Sequence, residues 1–499
     1  MNTSDTDVVL IGSGIMSSTL GVLLKRLNPK LRITLFEVAD TLSPEASDGW
    51  HNAGTGHAGI CELSYTPHPE PDGSVDVTKA INIFQEFEST LQFWAQAVAD
   101  GILKNPTDFI NPIPHLSFVR TAEQVDYLRA RHAGMSAHHF FSPMEFATDP
   151  AKIAEWAPLL TEGRDDEPIA ATKMNGGSDV NFGAVARQLC QWLDAQEGCK
   201  VLSGHRVTAL KRREDGKSWD VTAKRRFDGQ SFTGSTDFIF VGAGGGSILL
   251  LQKAGLPEAW GLGGFPIGGE WLVCDNPAVV ARHEAKVYGQ ALGAAPTMAV
   301  PHLDTRVIDG RKSLLFGPYA GWTTKYLHRH GSYLDLPKSI KVHNLATLLK
   351  IGVSNLDLIS YLVQQGTQSM DDRLEVLREF YPDAQATDWR LIEAGIRVQA
   401  IKQTDGEAGI VHYGTEVLTS ADRSVSALLG ASPGASTSVH IVTEVIRKSF
   451  PDLLAGAEGT ARMREIIPTF DMDLKATDAA DTFRKLAQPA RERLGLALD

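Results

Sequence analysis

At 499 residues and 54.1 kDa the chain is too long for one small domain, and at roughly 150 residues per domain it divides into two to four. With 43% hydrophobic and 22% charged residues it has the balance of a soluble globular protein with an ample core. The formal net charge of −12 opposes binding of nucleic acid or anionic lipid over the surface as a whole, so an anionic substrate requires arginines or lysines focused in a pocket.

The start, "MNTSDTDVVL", has no basic stretch leading into an apolar one, so no signal peptide is expected there. Val8 to Ile11 form a continuous apolar run, as a strand buried on both faces does. The turn Gly12-Ser13-Gly14-Ile15-Met16-Ser17 follows, then a helix with Met16, Leu20, Leu23, Leu24 and Leu27 at helical spacing. Asn28 to Lys30 break that helix, and Arg32 to Glu37 read as a second strand ending in an acid. The segment from Ser43 to Ser74 is too rich in Gly, Pro, Ser and Asp for regular structure, and a loop that long is functional or disordered. Ile81, Phe84, Phe87, Leu91, Trp94 and Val98 then mark a core-facing helix. Residues 110 to 170 read as short strands among proline-bounded loops, 181 to 196 as an amphipathic helix, and 200 to 226 as strands turned at Asp215-Gly216. Phe238 to Val241 repeat the opening pattern, running into Gly242-Ala243-Gly244-Gly245-Gly246 and a helix. Strands with Gly-Pro turns are predicted for 265 to 335 and helices for 339 to 380. Leu345 to Val363 are unusually apolar, read as buried helix core with a lipid- or quinone-facing patch as the alternative. "GIRVQAIKQ" (395 to 403) returns to strand, and 428 to 450 is a glycine-rich loop feeding a helix. No apolar run approaches 18 residues, so any membrane association is expected to be peripheral. Cys61, Cys190, Cys199 and Cys274 form no CxxC pair and read as reduced thiols; no metal-ligand spacing is present either.

A dinucleotide site aims backbone N–H groups at a pyrophosphate from a helix N-terminus. Gly12 permits the tight turn, Gly14 lets the backbone approach the phosphates, and the third position needs only a small residue, here Ser17. Glu37 lies 23 positions past Gly14, close to the roughly 20 expected of the acid that binds a ribose hydroxyl, and an acid there disfavours a 2′-phosphate and hence NADP. NAD and FAD both remain open on this motif alone. The long loop after the second strand, and a second glycine-rich strand end some two hundred residues later, suit a larger cofactor wrapped by distant segments.

Several stretches together resemble the malate:quinone oxidoreductases, flavoproteins related to the D-amino-acid oxidase and L-2-hydroxyglutarate dehydrogenase group. They are "DVVLIGSGIMSSTLGVLLK", "WHNAGTGHAGICELSYTP", "GGSDVNFGAVARQL", "FVGAGGGSILLLQKAG", "FPIGGEW", "VPHLDTRVIDGRKSLLFGPYAGW", "GIRVQAIKQ" and "LLGASPGAS", in family order from residue 7 to about 440. The resemblance implies FAD, with Gly12, Gly14 and Glu37 on its ADP half, Ile15 and Met16 in the same turn, and Asn52, Ala53, Gly54, Thr55 and Gly56 along pyrophosphate and flavin. It implies Val207 beside the adenine, Gly242, Ala243 and Gly244 beside the cofactor, and Ser432, Pro433, Gly434, Ala435 and Ser436 at the pyrimidine end of the flavin. The helix after Pro433 would present its positive N-terminus to the charge a reduced flavin develops.

Malate oxidation removes a hydride and a hydroxyl proton from one centre, and histidine is the natural base. By position in these motifs His302 and His57 are the candidates. Carboxylates call for arginine forks, so Arg306 and Arg397 are the candidate substrate ligands, with Lys402 beside them or near the flavin N1. Strand alternation puts residues 302, 304 and 306 on one face, so His302 and Arg306 would address one pocket.

The expected fold is α/β: a discontinuous Rossmann-like FAD-binding domain (1–75, 170–260 and 390–450) and an α+β substrate domain with an antiparallel or mixed sheet (76–169 and 261–389). Residues 451–499 have no assigned role. The implied activity is oxidation of malate to oxaloacetate with electrons passed to a membrane quinone, by a cytoplasmic protein peripherally attached to the inner face of the plasma membrane. The alternatives are a related FAD-dependent dehydrogenase or oxidase of another 2-hydroxy acid, such as L-2-hydroxyglutarate, and a non-catalytic flavin-binding protein.

Overall fold

The computed structural model describes residues 6–66, 69–290, 300–354, 365–404, 407–410, 415–430 and 434–497, except for the side chains of 351–354, 402–404, 407–410, 415 and 416. Among these residues two large sheets carry the chain. In the first the order is Thr415–Thr419, Val425–Gly430, Ser231–Val241, Thr6–Ile11, Ile33–Phe36, Cys199–Leu202. The strands from Val425–Gly430 to Cys199–Leu202 run parallel. Thr6–Ile11 lies inside this sheet, and Val8 to Leu10 are at most 2% exposed, which is why that run is apolar without alternation. Trp219–Arg225 extends the sheet antiparallel to the first half of Ser231–Val241, and His205–Arg212 pairs antiparallel with Trp219–Arg225 in turn.

The second sheet is mixed and mostly antiparallel, in the order Glu407–Ile410, Trp389–Thr404, Gly263–Cys274, Arg311–Trp322, His302–Ile308, Lys286–Tyr288, His115–Val119, Ala170–Met174, Glu145–Ala147. Trp389–Thr404, grouped by the sequence with the first sheet, instead pairs along nearly its whole length with Gly263–Cys274. Its alternation of apolar and polar residues suits this half-solvated position better than a parallel core.

Helix Ile15–Leu27 begins directly at the glycine turn and carries Lys25 in its last turn, whose buried ammonium donates to the carbonyls of Pro29, Leu31 and Glu197. Leu20, Leu23, Leu24 and Leu27 are buried against Phe182–Asp194 and Ser438–Ser449, each worth about 2 kcal/mol. Thr78–Ala99 joins this layer. The C-terminal helices Gly456–Ile466 and Ala480–Arg493 pack against it, where Arg491 pairs with buried Glu88 at 3.1 Å and Gln92 donates to Leu486 O. Residues 451–497 therefore complete the core of the helical layer. Helix Ala122–Ser136 stands where only short strands were expected. The segment 43–66 is irregular, as its composition predicts, but it is threaded between the two sheets with most of its residues buried.

Candidate active site

Two glycine turns meet at the carboxyl ends of the parallel strands. Gly12 has φ +92°, and a Cβ there would lie 2.6 Å from the carbonyl oxygen of Gly242. A Cβ on Gly242 would in turn lie 2.3 Å from Ser17 Oγ, so the helix, the turn and the distant strand end touch through backbone. In front of this junction opens a cleft of about 410 Å³. Gly12, Gly14, Ile15 and Met16 form its floor with Gly242, Ala243 and Gly244, while Glu37 and Val207 stand at one end. Glu37 is buried and accepts from Ser13 N at 2.9 Å, Ser13 Oγ at 2.6 Å and Ala39 N at 2.9 Å, so its carboxylate is fixed at the turn. Ser47 Oγ accepts from Ile15 N at 3.1 Å at the helix N-terminus.

The opposite wall is the loop Asn52–Thr55 with His57, Arg397, Gly434, Ala435 and Ser436. Asn52 ties the loop to itself, accepting from Gly54 N and donating to Ala46 O and Asp48 O. Ser436 Oγ donates to Thr55 O and accepts from His57 N, both at 3.0 Å, stapling the start of the last sheet-packing helix to the loop. Behind the loop, Lys286 donates to Ala53 O at 2.8 Å. Arg306 donates to Gly49 O at 2.5 Å and Val180 O at 3.2 Å. At Gly54 φ is +61°, and a Cβ would lie 1.3 Å from Arg306 Nη1, so only glycine lets the guanidinium pack flat on the loop.

Those two cations belong to a chain of buried charges. Arg306 pairs with Asp179, Asp179 with Lys286 at 2.9 Å, Lys286 with Asp304 at 3.5 Å, and Asp304 Oδ2 lies 2.8 Å from His302 Nδ1. Asp179, Lys286, Asp304 and Arg306 are wholly buried. Burial alone would push the Asp304 carboxyl up, but His302 and Lys286 outweigh it and hold it down at about 2. His302 stacks on Tyr288 with ring centroids 4.3 Å apart, and the Tyr288 hydroxyl meets Thr55 Oγ1 at 2.7 Å, so the His302 ring is tied to the cleft wall through Tyr288. Its Nε2 has no partner among the described residues. Burial, reinforced by the neighbouring His115, His302 and Lys286, lowers His57 to about 3, and its Nδ1 lies 3.4 Å from the Tyr65 hydroxyl. Arg397, on the wall, has no hydrogen-bond or ion-pair partner among the described residues; burial lowers its pKa.

The sequence profile described as "Malate:quinone oxidoreductase (Mqo)" matches residues 4–496. The chain belongs to the malate:quinone oxidoreductase family. A relative from Pseudomonas aeruginosa, named "Probable malate:quinone oxidoreductase 2", is 49% identical over 98% of this chain and 96% of its own. A "Probable malate:quinone oxidoreductase" from Micrococcus luteus is 50% identical over 94% of both chains. Among solved structures, glycine oxidase from Bacillus cereus shares the fold with a TM-score of 0.57, at 14% identity over 90% of this chain and 96% of that one. So does L-α-glycerophosphate oxidase from Mycoplasma pneumoniae, solved with FAD bound, with a TM-score of 0.56 at 15% identity over 89% and 94%.

Within this member of the malate:quinone oxidoreductase family, the described residues expected at a cofactor gather around one cleft, with one exception. Gly56 faces away, its N–H donating to Ser178 O and its α-carbon set against Ser178 and Phe87. Arg306 does share a strand face with His302, as alternation predicts, yet it is not a substrate fork. Its guanidinium is bound to Asp179 and to the carbonyls of Gly49 and Val180, so of these two arginines Arg397 is the one that lines the cleft. The Lys402 side chain and all of Ser432 and Pro433 lie outside the described residues. Asp179, Lys286 and Tyr288 went unassigned in the sequence. Asp179 sits in the quoted "GGSDVNFG", but Lys286 and Tyr288 occupy a three-residue strand with no motif around them. All four cysteines are buried and unpaired, and burial pushes Cys61 well up, in keeping with inert thiols.

Proposed function

We propose that this chain oxidises (S)-malate to oxaloacetate with His302 as base, using FAD, and passes the electrons to a membrane quinone. When bound, FAD supplies the acceptor for the hydride of malate C2 and the carrier of two electrons to the quinone. The residues fit such a group: the cleft floor is backbone, Gly14 leaves room that a Cβ would fill beside Ser47 Oγ, and Glu37 is fixed where a ribose acid belongs.

The observation that carries the reading is the pair Asp304–His302. A carboxylate oxygen 2.8 Å from Nδ1 stabilises, as an ion pair, the imidazolium formed when the malate hydroxyl proton arrives. His57 has no carboxylate partner among the described residues, and a histidine held near 3 draws a proton from an alcohol poorly, so it serves as a neutral polar wall. Arg397 is the fork for a substrate carboxylate. The C2 hydroxyl thus loses its proton to His302 and C2 its hydride to the cofactor; the quinone later takes two electrons and two protons.

Anaerobic mixing of the purified yellow protein with L-malate tests this. Bleaching of the flavin is expected, and slowing by about 10²–10⁴-fold in His302→Gln with FAD content unchanged. Bleaching only by another 2-hydroxy acid overturns the substrate, protein purified without flavin overturns the cofactor, and an unslowed variant overturns the base.

Support for the membrane part comes from the surface. No described helix is long and apolar enough to cross a bilayer. Trp260, Trp322, Tyr333, Val342 and Leu349 are nonetheless each more than half exposed. Residues 323–350 carry Lys325, Arg329, Lys338, Lys341 and Lys350 against the single acid Asp335, opposite to the balance of the whole chain. Apolar side chains rimmed by cations suit an anionic bilayer at the inner face of the plasma membrane, where a quinone is reached without spanning. Co-sedimentation with vesicles containing phosphatidylglycerol, lost in Val342→Glu/Leu349→Glu while malate reduction of the flavin persists, is the expected result. Equal sedimentation of both proteins overturns this surface.

A further inference from the structure

The family chemistry needs a base and a cofactor, but not a lysine without solvent exposure behind the cofactor loop. The Lys286 ammonium donates to Ala53 O at 2.8 Å and to Asp304 Oδ2 at 3.5 Å, and it forms an ion pair with Asp179 Oδ1 at 2.9 Å. The first partner belongs to the cleft wall, the last to the carboxylate that orients His302. Asp179 faces both ways as well, binding Arg306 and accepting from Val307 N at 2.8 Å, while Arg306 holds Gly49 O. Burying charges for stability alone roughly breaks even against an apolar core.

We propose that Lys286 is a positioning residue for the oxidation, coupling the cofactor loop at Ala53 to the Asp304–His302 pair so that the base is set in its working state when the loop is in its cofactor-bearing shape. This rests on the reading of His302 as base. Around His302 stand Asp304 on its own strand, Lys286 and Tyr288 on the neighbouring strand, His115 on the next, and His57 and Glu62 from the loop side. Of these, Lys286 is the cation that touches both the loop and the orienting acid. Removing its charge leaves Asp304 without its cation, whereas removing the charge of Asp179 leaves Lys286 to act on Asp304 alone, so the two substitutions change the charge beside the base in opposite directions.

The test is the pH dependence of malate-driven flavin reduction in holoenzyme variants. Lys286→Gln, which keeps N–H donors without charge, is expected to move the acid limb up by about one pH unit. Asp179→Asn is expected to move it down, and Lys286→Arg to leave it where the unaltered protein has it. Limbs unmoved in Lys286→Gln and Asp179→Asn, or moved the same way, overturn the coupling, since a merely structural role changes rate or FAD content without opposite limb shifts. Should Lys286→Gln fail to fold, Asp179→Asn decides by itself: a limb unmoved or moved up overturns the proposal. Failure of the underlying reading looks different, because then the unaltered protein does not bleach with malate or His302→Gln bleaches normally.

Discussion

The two walls of the cleft are made of different materials. The wall under the parallel sheet is backbone: Gly12, Gly242 and the start of the first helix meet with no functional side chain between them except Glu37. The wall facing the second sheet is a loop held in shape from behind by Arg306, Lys286, Asp179 and Asp304, all wholly buried. A backbone cradle tolerates almost any surrounding chemistry but no added atom. A charge-built wall holds a precise shape only while its partners stay paired, and it is therefore open to tuning by charge and by pH.

The largest effect that separates the two is at the glycines. Gly12→Ala meets the carbonyl of Gly242, and Gly54→Ala meets the guanidinium of Arg306; both are expected to yield protein without flavin. Displacing Arg306 from its buried partners costs about 3–5 kcal/mol. The obstacle at Gly54 is a side chain, however, so the cost is strongly non-additive. Gly54→Ala/Arg306→Ala should be only about 1 kcal/mol less stable than Arg306→Ala alone, the remainder being the left-handed backbone. Urea unfolding of the four proteins measures the cycle. Additive costs would mean that the loop is not shaped by Arg306.

A middle-sized effect comes from acid. His115 and His283 are fully buried beside the second sheet, and burial lowers each to about 4. In the unfolded chain they take up protons near 6.5, so below that pH the unfolded state binds more protons and stability falls. The loss runs from about pH 6.5 down to 4 and reaches about 3 kcal/mol for each histidine. Asp304 acts in a lower window: its folded value near 2 lies under its unfolded value, so its contribution, present at neutral pH, is lost between about 4 and 2. Hydrogen exchange at pH 5 should accordingly lose protection in His115–Val119 and Lys286–Tyr288 before Thr6–Ile11. Uniform loss across both sheets would contradict the division.

How much of this was legible follows the same line. The cradle is written in short range: an apolar run, two glycines, a small residue and an acid at fixed offsets, so Gly12, Gly14, Glu37 and Gly242 were readable from the sequence and lie together. Alternation also put His302, Asp304 and Arg306 on one face correctly. It could not say what Arg306 binds, because its partners are Asp179, far away in sequence, and the carbonyls of Val180 and Gly49. Lys286 carries no local signal at all. Helix Ala122–Ser136 was missed for another reason: its sequence, "AEQVDYLRARHAGMS", buries only Tyr127, Leu128, Arg131 and Met135, so its apolar stripe is too thin to stand out. Its Thr121 cap, accepting from Gln124 N, is the one local sign of it.

The smallest effect concerns Ser17, the residue that stands where a third glycine is usual. Its side chain is completely buried, its hydroxyl has no hydrogen-bond partner among the described residues, and it fills the space beside Gly242. A buried hydroxyl without a partner costs stability, so Ser17→Ala should leave FAD content and malate-driven flavin reduction unchanged and raise stability by up to about 1 kcal/mol. Ser17→Val adds bulk against Gly242, whose missing Cβ already marks the limit of approach, and should lose flavin. If Ser17→Ala instead lowers FAD content, the hydroxyl itself reaches the cofactor, and the cradle is not the purely backbone wall that sets it apart from the loop opposite.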